Sequence, residues 1–250
     1  DNVKELLFNE NSILLDVPKL VLSNSSREQN FYNSILLALA GKKKGLTELA
    51  NLMHDNATKI NKYLKTLLDS EMVIKKETYN STRQTYYYIS DPVLRFYYQF
   101  LLQNIEKIEA GYGLVLYERL KGEIDQFIAH SFEDVAISYM EFLGKKGKLN
   151  GIFYPIENLT IDNSELGRSI EIDGIARDND SLLVIECKFT NKKRTLSDFE
   201  KMIENTSIKM FSKIKDFNYF IISKNGFEDS LLHLKNENLH LISLDQMFEL

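Results

Sequence analysis

Four side chains in the second half of the chain, Asp173, Glu186, Lys188 and Glu171, are of types that hydrolytic chemistry uses and stand where such groups are rarely found. In "SIEIDGIARDNDSLLVIECKFT", residues 169–190, two runs rich in Ile, Val and Leu flank the polar turn Asp178-Asn179-Asp180, the pattern of a β-hairpin. Strands this apolar normally bury both faces, and buried carboxylates need a cation or a hydrogen-bond donor. Side chains alternate along a strand, so Glu171 and Asp173 share one face of the first strand. On the second strand Val184, Glu186 and Lys188 share one face, and Leu183, Ile185 and Cys187 the other. If the register aligns these faces, Asp173 and Glu186 approach within metal-ligand reach. Two hard oxygen donors, the carbonyl of Cys187 and several waters suit Mg²⁺. Lys188 could then orient or activate a water, or stabilise charge developing at phosphorus. On spacing alone, a Glu/Lys cross-strand pair on an exposed face is the commoner arrangement and the competing reading.

The elements around this hairpin give it a frame. A long helix is predicted over "KGEIDQFIAHSFEDVAISYMEFLG", with Ile124, Ile128, Val135, Tyr139 and Phe142 at helical spacing and Gly144 at its end. A strand at "GIFYPI" is expected before the hairpin. A helix over "TLSDFEKMIENTSIKMFSKI", a strand "FNYFIIS", a short strand "LHLISL" and a terminal helix follow it. Helix, three strands, helix and strand describe an α/β sandwich.

The first half reads differently. Residues 3–22 have apolar spacing without a partner of their own. From Phe31 three short helices are predicted, "FYNSILLALA", "LTELANLM" and "NATKINKYLKTLLDSEM", the third capped by Asp55 or Asn56. Two strands around "YNST" complete the order of a winged helix-turn-helix. In such a module the third helix turns its polar side to the major groove and the wing lies on the backbone. That makes Thr58, Lys59, Asn61, Lys62 and Lys65 candidate DNA contacts on the helix, and Lys75, Lys76 and Arg83 candidates on the wing. A solvated helix face on a protein-docking module is the competing reading. "AGKKKGLT" lacks the spacing G-x-x-x-x-G-K-[ST] of a phosphate loop and reads as a turn. Pro92 starts a helical connector, which Gly111 and Gly113 interrupt. The expected divisions are residues 1–30 as a junction, 31–90 as the winged helix, 91–117 as the connector and 118–250 as the sandwich. The fold class expected is α+β overall.

Composition narrows the possibilities. With one cysteine and four histidines, neither a disulfide framework nor a structural zinc site is expected. No apolar run approaches the roughly 20 residues that span a bilayer, and no signal peptide is visible, so a cytoplasmic protein without membrane contact is expected. The net charge of −5 hides an asymmetry, because residues 31–90 carry nine Lys/Arg against five Asp/Glu. A basic module beside an acidic remainder suggests divided labour.

The spacing D-x(12)-E-C-K across a buried hairpin, behind a helix that carries a glutamate, resembles the PD-(D/E)XK nuclease superfamily. The resemblance implies Asp173, Glu186 and Lys188 as the motif residues, and Glu133 of "SFEDVA" as a further acidic ligand for Mg²⁺ or Mn²⁺. Two departures are Ile172 before the aspartate, where that motif has proline, and Gly174 after it, which is expected to loosen the strand. Over nearly the whole chain, the winged-helix order, "ISDPVLRFYYQF", "FEDVA", "EIDGIA" and "IECKF" resemble the C-terminal half of the archaeal-type ATPase family (AAA+/STAND-like). This implies that an ATP-binding portion precedes the chain, which itself holds no ATP site, and that residues 1–22 are the remnant of the junction. The function expected is a metal-dependent DNA phosphodiesterase with a DNA-binding winged helix, with DNA and the ATPase portion as partners and a homo-oligomer left open. The alternative is a non-catalytic DNA- or protein-binding regulatory module.

Overall fold

The structure, a computed structural model, describes residues 2–12, 15, 26–77, 85–164 and 166–249. It falls into two compact units that meet in sequence between Phe127 and Ile128. The chain is α+β, as its element order predicts.

In the first unit, α1 (Asn2–Leu7) is followed by α2 (Ser26–Ala40), α3 (Leu46–Met53) and α4 (Ala57–Asp69). α2 starts at Ser26, five residues before the expected Phe31, because "SREQN" has no helix breaker. Asn56 caps α4, its side-chain oxygen accepting the Lys59 N–H at 2.7 Å. Ile60, Leu64 and Leu67 turn inward as their spacing requires. Antiparallel strands β1 (Val73–Glu77) and β2 (Thr85–Ile89) come next, pairing Val73 with Ile89 and Glu77 with Thr85. The lysine-rich turn is tied to this hairpin. Lys44 and Tyr87 exchange main-chain hydrogen bonds of 3.0 and 2.8 Å. Asp91 caps α5 (Pro92–Phe96) by accepting the Leu94 N–H at 2.7 Å. The connector is then less regular than predicted, with wide π-helical turns at Tyr97–Leu101 and Ile108–Tyr112. Gly111 adopts φ +84° within the second of these, a conformation that suits glycine.

Helix α6 runs from Gly113 to Lys145, so Gly113 opens it and the helix begins well ahead of Lys121. Its part from Ile128 onward belongs to the second unit. There the inward stripe is Phe132, Ala136, Ile137, Met140 and Leu143, while Val135 is 48% exposed. The expected stripe is met in part: Ile124 is buried and Tyr139 and Phe142 pack against this core, whereas Val135 turns outward.

The second unit centres on a five-stranded sheet. β3 (Glu157–Asn163), β4 (Arg168–Asp178) and β5 (Ser181–Lys188) pair antiparallel, whereas β6 (Asp216–Ser223) and β7 (Leu239–Ser243) add in parallel to β5. Leu183, Ile185 and Cys187 pack with the α6 stripe on one side. Leu182, Val184 and Ile221 pack with Phe199 and Met202 of α7 (Leu196–Thr206) on the other. Each such side chain contributes roughly 1.5–3 kcal/mol on burial.

Three expected elements differ. "GIFYPI" is not a strand. Pro155 offers no N–H to a ladder, and β3 starts only at Glu157. The helix after the hairpin ends at Thr206, whose hydroxyl bonds the carbonyls of Met202 and Ile203 at 3.0 and 3.1 Å, with a 3₁₀ turn beyond at Lys209–Phe211. The terminal helix is a single 3₁₀ turn, Asp245–Met247. No helix among the described residues is long and apolar enough to cross a membrane.

Candidate active site

The hairpin ladder between β4 and β5 has its last pair at Gly174 and Ile185. An unbroken continuation would set Asp173 directly opposite Glu186. A β-bulge intervenes on the other edge of β4. Leu159 pairs with Ile172 and Glu157 with Ile175, so Asp173 and Gly174 together oppose Asn158. The Asn158 amide donates to the Asp173 carbonyl and satisfies the polar group that the bulge frees. The Asp173 carboxylate turns into the gap between the strands, where its Oδ2 accepts the Cys187 N–H at 2.7 Å. A side chain thus replaces a backbone carbonyl as the ladder's acceptor. That wedge lets side chains from both faces of the sheet meet.

Gly174 makes this closeness feasible. A Cβ there would stand 2.9 Å from Ile185 Cδ1 and 3.2 Å from Ile156 Cγ2. The strand is irregular at this glycine, where the bulge lies, and the glycine admits neighbours that any side chain would push away.

Lys188 reaches both motif acids, with Nζ 2.6 Å from Glu186 Oε1 and 3.6 Å from Asp173 Oδ2. The Asp173 side chain is only 8% exposed and that of Glu186 21%. Burial pushes the Asp173 carboxyl above its ordinary range, opposed by the Lys188 charge and the Cys187 N–H. Burial also raises Glu186, and the nearby Asp173 adds to it. Burial would lower the Lys188 ammonium, but Asp173 and Glu186 outweigh it and hold the amine above its usual range. Burial raises the Cys187 thiol well above normal, so that side chain is protonated and inert.

Glu133 projects from α6 beside the buried Phe132, 3.4 Å from His130 Nδ1. Burial first, and then Asp173, push its pKa up to about 8. It feels the charges of Asp173, Lys188 and Glu171, so it shares their electrostatic neighbourhood. Among the described residues, however, no three His, Cys, Asp or Glu side chains converge at metal-holding distance. The structure brings Asp173, Glu186 and Lys188 together and leaves Glu133 coupled through its field. Glu171 is exposed and acts on Asp173 only at a distance.

The donor chemistry nevertheless fits a divalent cation. Asp173 and Glu186 already hold one positive centre, the Lys188 ammonium, between them. Two desolvated carboxylates share this one ammonium, with the Glu133 carboxyl in the same electrostatic neighbourhood, and a hard cation would relieve the mutual repulsion of these acids. Sequence reasoning missed the Cys187 N–H and the Asn158 amide as the groups that set Asp173. The bulge had a signal in the isoleucines, spaced two apart at 170 and 172 and then three apart at 175.

The other candidate surface belongs to the first unit. Thr58, Lys59, Asn61, Lys62 and Lys65 are exposed along α4, opposite its buried leucines. Lys59 is engaged, paired with Asp55 and lying 4.3 Å from the Phe31 ring centre. On β1, Lys75 is exposed and Lys76 lies half-buried, 5.2 Å over the Tyr88 ring. Arg83 and the "YNST" turn lie outside the described residues, as do residues 13–14 and 16–25 of the expected junction.

Residues 97–200, which include Glu133, Asp173, Glu186 and Lys188, match the model of a family, DUF234, described as "Archaea bacterial proteins of unknown function". The chain is also similar to an uncharacterized protein of Methanocaldococcus jannaschii, 30% identical over 171 residues. That alignment covers 66% of this chain and 37% of the relative, so the chain spans little more than a third of the curated protein it matches.

Proposed function

We propose that the second unit is a divalent-metal-dependent phosphodiesterase acting on DNA, and that the first is a winged-helix module that holds the substrate. In this reading the chain is the portion that follows the ATPase part of a longer protein of the archaeal-type ATPase family. One observation carries the proposal. A buried carboxylate on β4, Asp173, meets a half-buried carboxylate and a lysine on β5, Glu186 and Lys188, in a wedge between the strands. Ion pairs this desolvated give little net stability, so packing alone does not favour them. The three-helix and hairpin order of the first unit, with an exposed polar face on α4, supports the substrate-holding role.

Asp173, Glu186 and Glu133 would hold Mg²⁺ or Mn²⁺, which when bound supplies Lewis-acid charge at the phosphodiester. The protein's own groups divide the remaining work. The Cys187 N–H and the Asn158 amide fix Asp173 before substrate arrives. Lys188, held as an ammonium by its two carboxylates, is a donor. It therefore suits stabilisation of negative charge in the transition state, or orientation of the attacking water, better than proton abstraction. The apolar side chains behind the wedge exclude bulk water and strengthen each of these interactions.

Incubation with plasmid and single-stranded DNA plus Mg²⁺ or Mn²⁺ tests this reading. Wild type is expected to cleave, and Asp173→Ala to lose at least about 100-fold in rate, the scale of removing a catalytic electrostatic group. Equal cleavage by the two proteins would assign the activity to a contaminant and remove the proposal.

A further inference from the structure

Immediately beyond Lys188 the chain leaves the sheet in a loop that is basic and firmly held. Lys192 and Lys193 are exposed, and among the described residues neither pairs with a carboxylate. Lys224, at the end of the neighbouring strand β6, leans over the Phe189 ring at 4.5 Å and donates to Asn191 Oδ1 at 3.1 Å. Asn225 donates to the Asn191 carbonyl at 2.8 Å. The ends of β5 and β6 are thereby fused into one surface, and the Lys224 N–H to Lys188 carbonyl bond of 3.1 Å fastens that surface to the acid site.

Beneath it lies Arg194, only 9% exposed. One of its terminal nitrogens faces Thr190 Oγ1 at 3.3 Å and the Lys192 carbonyl at 3.4 Å, the other Asp198 at 3.6 Å, and its Nε is buried without a partner. A buried N–H without an acceptor costs about 1–3 kcal/mol. The loop keeps its shape despite that cost, and the shape sets two lysines outward beside a third.

We propose that this ledge, Lys192 and Lys193 with Lys224, binds the phosphodiester backbone of a nucleic-acid strand and leads it to the Asp173–Glu186 wedge. The assignment of nucleic acid rests on the reading of that wedge as a phosphodiesterase centre. Ammonium groups on a rigid surface neutralise successive phosphates without reading bases, so the ledge gives affinity without sequence preference.

The test is fluorescence anisotropy of the full chain with labelled single-stranded and duplex oligonucleotides in EDTA, across a salt series. Wild type should bind. The triple variant Lys192→Ala, Lys193→Ala, Lys224→Ala, altered only at exposed side chains, should bind about tenfold or more weakly, with a shallower salt dependence by about two to three counterions. Unchanged affinity and slope, or equal competition by poly-glutamate, would overturn the ledge. Asp173→Ala separates the two readings. If it abolishes cleavage while the triple variant binds normally, the ledge alone fails. If it cleaves like wild type while the triple variant loses DNA, the phosphodiesterase reading alone fails.

Discussion

The lysines of α4 and the charged groups of the β4–β5 wedge are both candidates for meeting DNA, but the protein treats them in opposite ways. On α4 the charges stand in water, where any sequence tolerates them and exposed pairs such as Lys59–Asp55 contribute little. In the wedge, Asp173, Glu186 and Lys188 are drawn from water, with protonation displaced from ordinary values. Exposed charge is thus compatible with many roles, whereas converging buried charge points to a task that needs it.

Removing one charge from each region should break the symmetry between them. Lys188→Met leaves Asp173 and Glu186 facing each other without a cation. The expected loss is about 2 kcal/mol, reduced from the deep-burial range because the lysine is about a third exposed. Urea denaturation at neutral pH measures it. A loss within experimental error would mean that the wedge is as solvated as the surface.

A second contrast is pH dependence. The Glu133 carboxyl titrates at about 8 in the folded protein and near 4.5 when unfolded. The folded state therefore retains a proton that the unfolded chain has released, and stability from this group falls as pH rises from 4.5 to 8, then levels. Glu133→Gln should remove that slope and be the more stable protein by about 1 kcal/mol at pH 9, after allowance for partial exposure. Denaturation midpoints at acid, neutral and alkaline pH check this. Parallel curves would place Glu133 in ordinary solvent.

The smallest effect on stability belongs to α4. Lys62→Ala should change it by less than about 0.5 kcal/mol, yet weaken DNA binding and lower the salt slope by about one. An unchanged slope would favour a protein-docking role for this unit.

What the sequence disclosed follows the same division. Apolar strands and helical stripes are local patterns, so β4, β5, β6 and α4 could be read directly, along with the acids lodged in them. The meeting of Asp173 with Glu186 depended on something not local, the point where the ladder opens. That point is set by the bulge opposite Asn158 and by the space at Gly174. Glu133 became a candidate only through resemblance, since nothing in a helical repeat marks one glutamate among several. "GIFYPI" misled because its composition is that of a strand while Pro155 cannot join one. The face of α6 was legible only in part, because Phe132 and Ala136 differ so much in size that their shared stripe does not stand out.

Titration calorimetry with Mg²⁺ and Mn²⁺, on wild type and on Glu186→Ala, tests the central claim most directly. A single saturable site in wild type, weakened at least about 100-fold by Glu186→Ala, is the result expected if the wedge is a cation centre. No binding to wild type, or equal binding to the variant, would contradict it.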